Sequence, residues 1–414
     1  MSSRTTPSAM PTAAPSWRLR DVGSGPLVDP PPGAAVIGVG ESAHFVAELN
    51  AVRIEVAVDL VRRGVVTHLA LELGDDEAPL IQPWLRGVDG RPLRDVVGPL
   101  THLLYGTVLT GLRDALEPDQ VPEVLGVDLP TSLTIEPSLA PLADLLARLD
   151  LDSADAVARA RTLASGVVGG SAAASATSWL AMDPATQDRL TVALARLAAR
   201  VEALAAVHAG TEHGPDWQAA VVHARAARST DLMLRAMAEL FSGEGVPADT
   251  TLREHHVSER LLAAVDGLGP DERILYLAHD NHLQKAPVVF DGELAAHPVG
   301  QVLAARLGPR YHAVALTHLG PDVPEMVVPA PTSVGFSVEL VPASPVTDGS
   351  IEGVASADDE ADVQVLRPTG LARAAATTSI RSQSAVAEIP ADAFDAVLVV
   401  PRATLDEAAD GLRG

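Results

Sequence analysis

The sequence predicts an α/β protein with a central, mostly parallel sheet flanked by helices and a large helical insertion that forms a cap over a cleft. Four apolar runs end on an acid or a histidine, at residues 34–44, 68–74, 124–130 and 273–282. Each is typical of a buried parallel strand whose carboxyl end faces a ligand crevice. Between the third and fourth runs, residues 138–262 are rich in Ala, Leu and Arg with helical periodicity, which predicts the insertion.

The chain is expected to divide at the ends of this insertion. We expect a disordered tail at 1–16, an α/β catalytic core built from 17–137 and 263–414, and the helical cap at 138–262. At 414 residues the chain is long enough for this arrangement.

Further elements follow from periodicity and turn residues. Apolar side chains at 46, 49, 56 and 60 recur at helical spacing after the first strand, and Gly64 ends that helix. YHAVALTHLG (311–320) predicts another strand, and VGFSVELV and DAVLVVP predict strands at a sheet edge. The acidic stretch 347–362 predicts a mobile loop.

Composition excludes several functional classes. The formal charge of −24, from 30 Lys+Arg against 54 Asp+Glu, repels phosphate, so we expect no nucleic-acid or membrane partner. The lack of cysteine excludes disulfides, thiolate metal sites and a Cys nucleophile. No apolar run approaches the roughly 20 residues of a membrane span, and the first 16 residues lack a signal-peptide apolar region, so we predict a cytoplasmic protein.

Ionisable side chains gather at the predicted strand ends. Glu41 and His44 follow the first strand, Glu72 lies in the second, and His279 and His282 follow the fourth. Because parallel strands end at one edge of a sheet, these groups are expected to meet there. The arrangement predicts an enzyme active site.

Arg53 lies in the middle of the apolar stripe of the first helix. A guanidinium that faces the core must find a carboxylate, and Glu41 and Glu72 are the expected partners. The alternative is that the side chain extends along the helix edge to solvent.

These groups permit two chemistries. In one, an imidazole beside a carboxylate takes a proton from water, and a second histidine or Arg53 stabilises the oxyanion. In the other, Glu72 with His44, His279 or His282 binds a metal that activates the water. The absence of HxxxH and HxH spacing favours the first, and we predict neither a metal nor a cofactor. A GxSxG elbow and the third glycine of a dinucleotide fingerprint are also missing.

Taken together, five motifs resemble those of the erythromycin esterase family. They are GESAH at 40–44, Arg53, ALELG around Glu72, GVD at 126–128 and AHDNH at 278–282. The resemblance implies a hydrolase that opens a macrolide lactone or cleaves another ester of a small-molecule natural product. It implies that His44 is the general base and that the other charged groups hold, polarise or stabilise around it, namely Glu41, Glu72, Arg53, His279 and His282.

The sequence departs from the family pattern around the pocket. Ala43 replaces a threonine, Phe45 replaces a glycine, and Asp280 with Asn281 replaces Asn-Ala. These changes leave two alternatives open. One is a biosynthetic tailoring enzyme that performs dehydration, cyclisation or acyl chemistry, and the other is a non-catalytic binder of a metal or small molecule.

Five other residues are weaker candidates. Asp128 could orient a histidine or cap a turn, and Arg253 and Glu254 could reach the site or lie on a solvated helix face. His318 ends a strand on the same side, and Trp84 could line the pocket or pack in the core.

Overall fold

The computed structural model describes residues 26–246, 248–347, 350–355, 363–366, 379–390 and 392–413. The predicted tail at 1–16 lies outside them, as do 348–349 and 356–362 of the predicted loop. The described strands are β1 (Val36–Val39), β2 (His68–Gly74), β3 (Glu123–Asp128), β4 (Ile274–Leu277), β5 (Val288–Phe290), β6 (Glu293–Ala296), β7 (Tyr311–His318), β8 (Asp322–Val327), β9 (Ser337–Pro342), β10 (Gln364–Leu366), β11 (Ser379–Ser382), β12 (Ala385–Glu388) and β13 (Ala396–Val400).

Helices separate most of these strands. They are α1 (Ala47–Arg62), α2 (Ala78–Leu85), α3 (Pro99–Ala115), α4 (Glu136–Leu149), α5 (Leu151–Ala164), α6 (Ala172–Leu180), α7 (Pro184–His208), α8 (Gly214–Ser242), α9 (Thr251–Gly267), α10 (Asp280–Leu283), α11 (Val299–Leu307) and α12 (Ile351–Val354). α1 ends just before Gly64, as predicted.

Within the described residues the main sheet has seven strands in the order β10-β13-β7-β1-β4-β2-β3. All neighbours pair in parallel except β10, which runs antiparallel to β13. The predicted mostly parallel α/β sheet is therefore present. β11, β12, β5 and β6 form a smaller sheet, and β8 pairs with β9 in a separate two-stranded ribbon.

Both faces of the main sheet are covered, which explains why its strands read as continuous apolar runs. Ile37 and Val39 of β1 join the apolar core on the α1–α3 side, and Val36 joins the core that contains α9 and α11. Alternate side chains of a strand point to opposite faces, so one short strand contributes to both cores.

The helices α4 to α8 stand between β3 and β4 in the chain and share a third apolar core. Trp179, Leu194 and Trp217 are among its buried members. Within the part of the chain that the structure describes, no helix combines the length and apolar character needed to cross a bilayer.

Two C-terminal predictions differ from the structure. VGFSVELV contains β9, which pairs with β8 rather than joining the main sheet, and DAVLVVP contains β13, which lies inside the main sheet because β10 covers its edge. Part of the predicted loop is helical instead, since the Ser350 side chain caps α12 at Gly353 N and Ile351 is buried.

We predict that Gly126→Ala destabilises the protein by about 1–3 kcal/mol, a typical overpacking penalty. A Cβ at Gly126 would meet the backbone of β2, at 2.6 Å from Gly74 C and 2.8 Å from Asp75 N, where the register between β2 and β3 shifts. Urea unfolding would measure the change. Gly267→Ala is the control, because a Cβ there meets nothing within 4 Å; equal stability of the two variants would contradict the prediction.

Candidate active site

The turn after β1 holds the first pair of predicted site residues. Glu41 is buried, and its Oε1 lies 2.9 Å from His44 Nδ1. His44 keeps 20% of its side chain exposed, so its ring reaches a cavity while the carboxylate behind it does not. The structure therefore brings an exposed imidazole against a buried carboxylate.

Arg53 is fully buried and faces this carboxylate. Its Nη1 lies 2.8 Å from Glu41 Oε2, and its guanidinium lies 5.5 Å from the centre of the Tyr105 ring. Burial works against the charge, but Glu41, Tyr105 and Glu72 outweigh it, so the pKa of Arg53 is raised. The alternative that Arg53 extends to solvent is wrong, because the α1 face that carries it packs onto the sheet.

Glu72 receives contacts from several elements. Its Oε2 accepts hydrogen bonds from His279 N at 2.9 Å and from the Tyr105 hydroxyl at 3.2 Å. Its Oε1 lies 3.1 Å from His282 Nε2 and 3.2 Å from Arg253 Nη2. Burial raises the pKa of this carboxyl, but the nearby positive charges of His282 and Arg253 prevail and lower it to about 2.

His282 lies between two carboxylates. Its Nε2 faces Glu72, and its Nδ1 lies 2.8 Å from an oxygen of Glu254. Burial lowers the pKa of His282, but Glu254 and Glu72 more than offset this, so its pKa is raised despite the opposing charge of Arg253. The ring therefore favours the imidazolium form, in which Nδ1 donates to Glu254 while Nε2 faces Glu72 Oε1 and lies 3.3 Å from Arg253 Nη1.

His279 lies between the other two histidines but has a different environment. Its ring centre is 5.0 Å from that of His44 and 6.4 Å from that of His282. Its Nε2 lies 3.0 Å from the carbonyl oxygen of Ser42, and its Nδ1 accepts a hydrogen bond from Asn281 N. Burial, together with His44 and His282, lowers the pKa of His279 well below its usual value, so this imidazole is neutral.

Three of the weaker candidates, Asp128, Arg253 and Glu254, join the site, and one residue was missed. Arg253 Nε lies 3.0 Å from each Asp128 oxygen, which ties the start of α9 to the end of β3. Glu254 contacts His282, as described above. Tyr105, which binds Glu72, was missed; its phenol on the apolar face of α3 is the signal that could have found it, since a buried Tyr hydroxyl needs a partner.

The remaining candidates lie elsewhere. His318 is buried beside Arg381, and burial with that charge lowers its pKa to about 3. Trp84 packs in the α1–α3 core and donates to the carbonyl of Arg91. Phe45, expected at the mouth of the site, adopts a φ of 62° and packs against Phe336 in a small apolar cluster.

A cavity of about 460 Å³ opens over this group and is lined mostly by apolar side chains. Ionisable side chains reach it from the turn after β1 and from β2, β3, α9, α10 and β8, while α3, α8 and β8 supply apolar side chains. The residues that line it include His44, Glu72, Asp128, Arg253, His282, Leu100, Leu104, Leu133, Met233, Met237, Glu325, Met326 and Phe336. Among the described residues, no group of three or more His, Asp or Glu side chains is arranged to hold a metal ion.

We predict that Glu72→Gln lowers the free energy of unfolding by about 3 kcal/mol near pH 5.5, since one pKa unit corresponds to about 1.4 kcal/mol. The wild-type advantage shrinks as the pH falls from the ordinary carboxyl pKa of 4.5 towards about 2, because Glu72 then takes up a proton. It also shrinks as the pH rises above 6.5 through the raised pKa of His282, because the imidazolium loses its charge.

Urea titrations of both proteins between pH 2 and pH 9 would measure this gap. Glu117→Gln, at an exposed position, serves as the control and leaves stability nearly unchanged. A gap that grows steadily with acid would contradict the assignment of Glu72 as an ionised, cation-held carboxylate.

Comparison with known proteins confirms the predicted family. The erythromycin esterase family model matches residues 113–403. Erythromycin esterase type I of Escherichia coli is 35% identical over 381 residues, covering 90% of this chain and 92% of that protein. Erythromycin esterase type II of Escherichia coli is 25% identical over 325 residues and covers 77% of each. The solved structure of a mutant of erythromycin esterase EreC in its open conformation is similar with a TM-score of 0.86 at 34% identity, covering 92% of this chain and 93% of that chain. This chain belongs to the erythromycin esterase family.

Proposed function

We propose that this protein hydrolyses the ester bond of a macrolactone or a related natural-product ester, with water activated by His44. By its family the protein is an erythromycin esterase-like, ester-hydrolysing enzyme. The substrate and the role of each residue are what we propose. The observation that carries the proposal is the His44 ring, which lines the cavity while its Nδ1 is held by Glu41.

The contact with Glu41 determines which nitrogen of His44 acts as the base. A carboxylate only accepts hydrogen bonds, so Nδ1 carries the proton and Nε2 keeps its lone pair. Arg53 holds the second oxygen of Glu41, with Nη1 at 2.8 Å from Oε2. Nε2 takes a proton from water, and the water oxygen attacks the ester carbonyl carbon to give a tetrahedral oxyanion.

Arg253 and His282 stabilise the charge that develops. Both line the cavity as cations, and Glu72 and its neighbouring carboxylates hold them in place. The guanidinium faces the oxyanion, and the imidazolium gives its proton to the alkoxide as the acyl C–O bond breaks. The products are a carboxylic acid and an alcohol; His44 then returns its proton to solvent and His282 regains one.

We assign His279 a positioning role rather than proton transfer. Both of its ring nitrogens contact backbone atoms, of Ser42 and Asn281, and the ring is almost fully buried. Its Nε2 supports the carbonyl of Ser42 in the turn that carries His44. The side chain thus links the turn after β1 to the turn after β4.

The helical insertion at 138–262 and a cytoplasmic location are also part of the proposal. The shared core of α4 to α8 supports a cap, and α8 contributes Met233 and Met237 to the cavity wall. α9 differs, since Val257 and Leu261 pack in the core of the main sheet. Fractionation of cells that express the full chain would test the location.

Mass spectrometry of macrolides and macrolactones incubated with the protein, with and without a chelator, tests the proposed reaction. We expect a product heavier by one water in both conditions. His44→Ala should lower kcat by at least about 10³-fold because the base is lost. His68→Ala, at the opposite end of β2, is the matched control with unchanged activity. Full activity of His44→Ala on the hydrolysed substrate would falsify the proposed mechanism.

We predict that Met237→Trp discriminates between substrates by size. The larger ring fills the apolar cavity, so KM rises about tenfold or more for a macrolactone while a small ester is turned over as before. Leu240→Trp, at an exposed position of the same helix, should leave KM unchanged for both substrates. Equal effects of Met237→Trp on both substrates would show that this wall does not contact the macrocycle.

A further inference from the structure

A second turn lies directly against the turn that carries His44. It joins β11 to β12, and Gln383 at its tip has a φ of +53°, a left-handed conformation that costs free energy for any residue except glycine. Gln383 N donates a 2.7 Å hydrogen bond to the carbonyl of Ser42. Its side-chain Oε1 accepts a hydrogen bond from His44 N, also at 2.7 Å. One residue therefore binds both ends of the Ser42–His44 segment.

The other end of the Gln383 amide contacts a carboxylate. Nε2 donates to Glu325 Oε1 at 3.4 Å, and Glu325 Oε2 accepts hydrogen bonds from Ser384 N at 3.1 Å and from Ser384 Oγ at 2.7 Å. A carboxylate can accept a hydrogen bond only from the NH2 group of a side-chain amide, not from its oxygen. Glu325 therefore fixes the orientation of Gln383 and leaves Oε1 facing His44 N.

Backbone groups hold two other points of the turn, and the His279 side chain contacts the carbonyl of Ser42. Ser42 N donates to the carbonyl of Leu316, and Asp406 N donates to the carbonyl of Phe45, so those anchors are backbone groups. At His44 the acceptor is a side chain, and its orientation depends on Glu325, which itself lines the cavity. Hydrogen bonds thus run from the cavity wall to the backbone of His44.

We propose that Gln383 is a positioning residue that fixes the His44 imidazole at the cavity through this Glu325–Gln383–His44 connection. The inference rests on the proposed role of His44 as the base. A shift of about 1 Å in a reacting group lowers the rate by about a hundredfold, whereas substrate binding depends on the cavity walls. Loss of the Gln383 amide therefore acts on kcat and leaves KM nearly unchanged.

The first test compares two glutamines of the same chemistry. Gln82 Oε1 accepts a hydrogen bond from Val124 N, and its Nε2 donates to the carbonyl of Pro122, outside the cavity. Gln383→Met should lower kcat about tenfold to a hundredfold and leave KM within about twofold of wild type. Gln82→Met should lose about as much folding stability as Gln383→Met but leave kcat and KM unchanged. A kcat for Gln383→Met within about twofold of wild type overturns the proposal.

The second test exchanges the amide of Gln383 and the carboxylate of Glu325, which have nearly the same shape. Gln383→Glu retains an acceptor for His44 N but places a second carboxylate beside Glu325, so kcat should fall about tenfold or more. Adding Glu325→Gln restores a donor between the two side chains, and the double variant should recover kcat to within about threefold of wild type. A double variant no faster than Gln383→Glu overturns the connection through Glu325.

Wild type and His44→Ala in the same assay separate the two levels of inference. Absence of ester hydrolysis by wild type, or full activity of His44→Ala, rejects the proposed function. Active wild type and inactive His44→Ala, together with a Gln383→Met variant that retains wild-type kcat, reject only the role of Gln383. The expected result is an inactive His44→Ala, a slow Gln383→Met with wild-type KM, and a swapped pair that recovers activity.

Discussion

The site depends on one buried ion pair, between Arg53 and Glu41. A fully buried guanidinium cannot lose its proton, so the structure must supply a carboxylate within reach. Glu41 supplies it from the turn after β1 and uses its other oxygen to hold His44. Burial of Arg53 thereby orders the turn that carries Glu41 and His44. The orientation of the imidazole is a consequence of core electrostatics rather than of surface contacts.

Glu72 organises the opposite side of the cavity in the same way. Two cations, His282 and Arg253, share this carboxylate; Glu254 also contacts His282, and Asp128 also contacts Arg253. Alternating charges of this kind allow two cations to lie close together beneath an apolar cavity without large net repulsion. Both His44 and His282 contact carboxylates, and in the proposed mechanism one accepts a proton and the other supplies one.

In the proposed mechanism, the groups that act on the ester and the walls that contact the substrate lie on different parts of the fold. The charged groups stand at strand ends and on the first turn of α9, where the covered sheet holds them rigidly. The apolar walls come from α3, α8 and β8, through residues such as Leu104, Met237 and Met326. Phe45 follows the same division, because its ring packs against Phe336 and leaves the His44 side of the turn open.

The sequence by itself determined the parallel strands that carry the site, the helix after β1 and the ionisable residues near the strand ends, because apolar periodicity is a local property; the placement of the C-terminal strands β9 and β13 was not determined by it. It also indicated that Arg53 needs Glu41, since burial of a charge is readable from a helical stripe. Only the tertiary structure decided that Tyr105 joins the site and that His279 contacts backbone while His282 contacts carboxylates. It also decided the pairing of Arg253 with Asp128, 125 positions apart. These outcomes depend on which distant segments of the chain meet at the strand ends. A local sequence pattern does not indicate how far apart two segments lie in the folded protein.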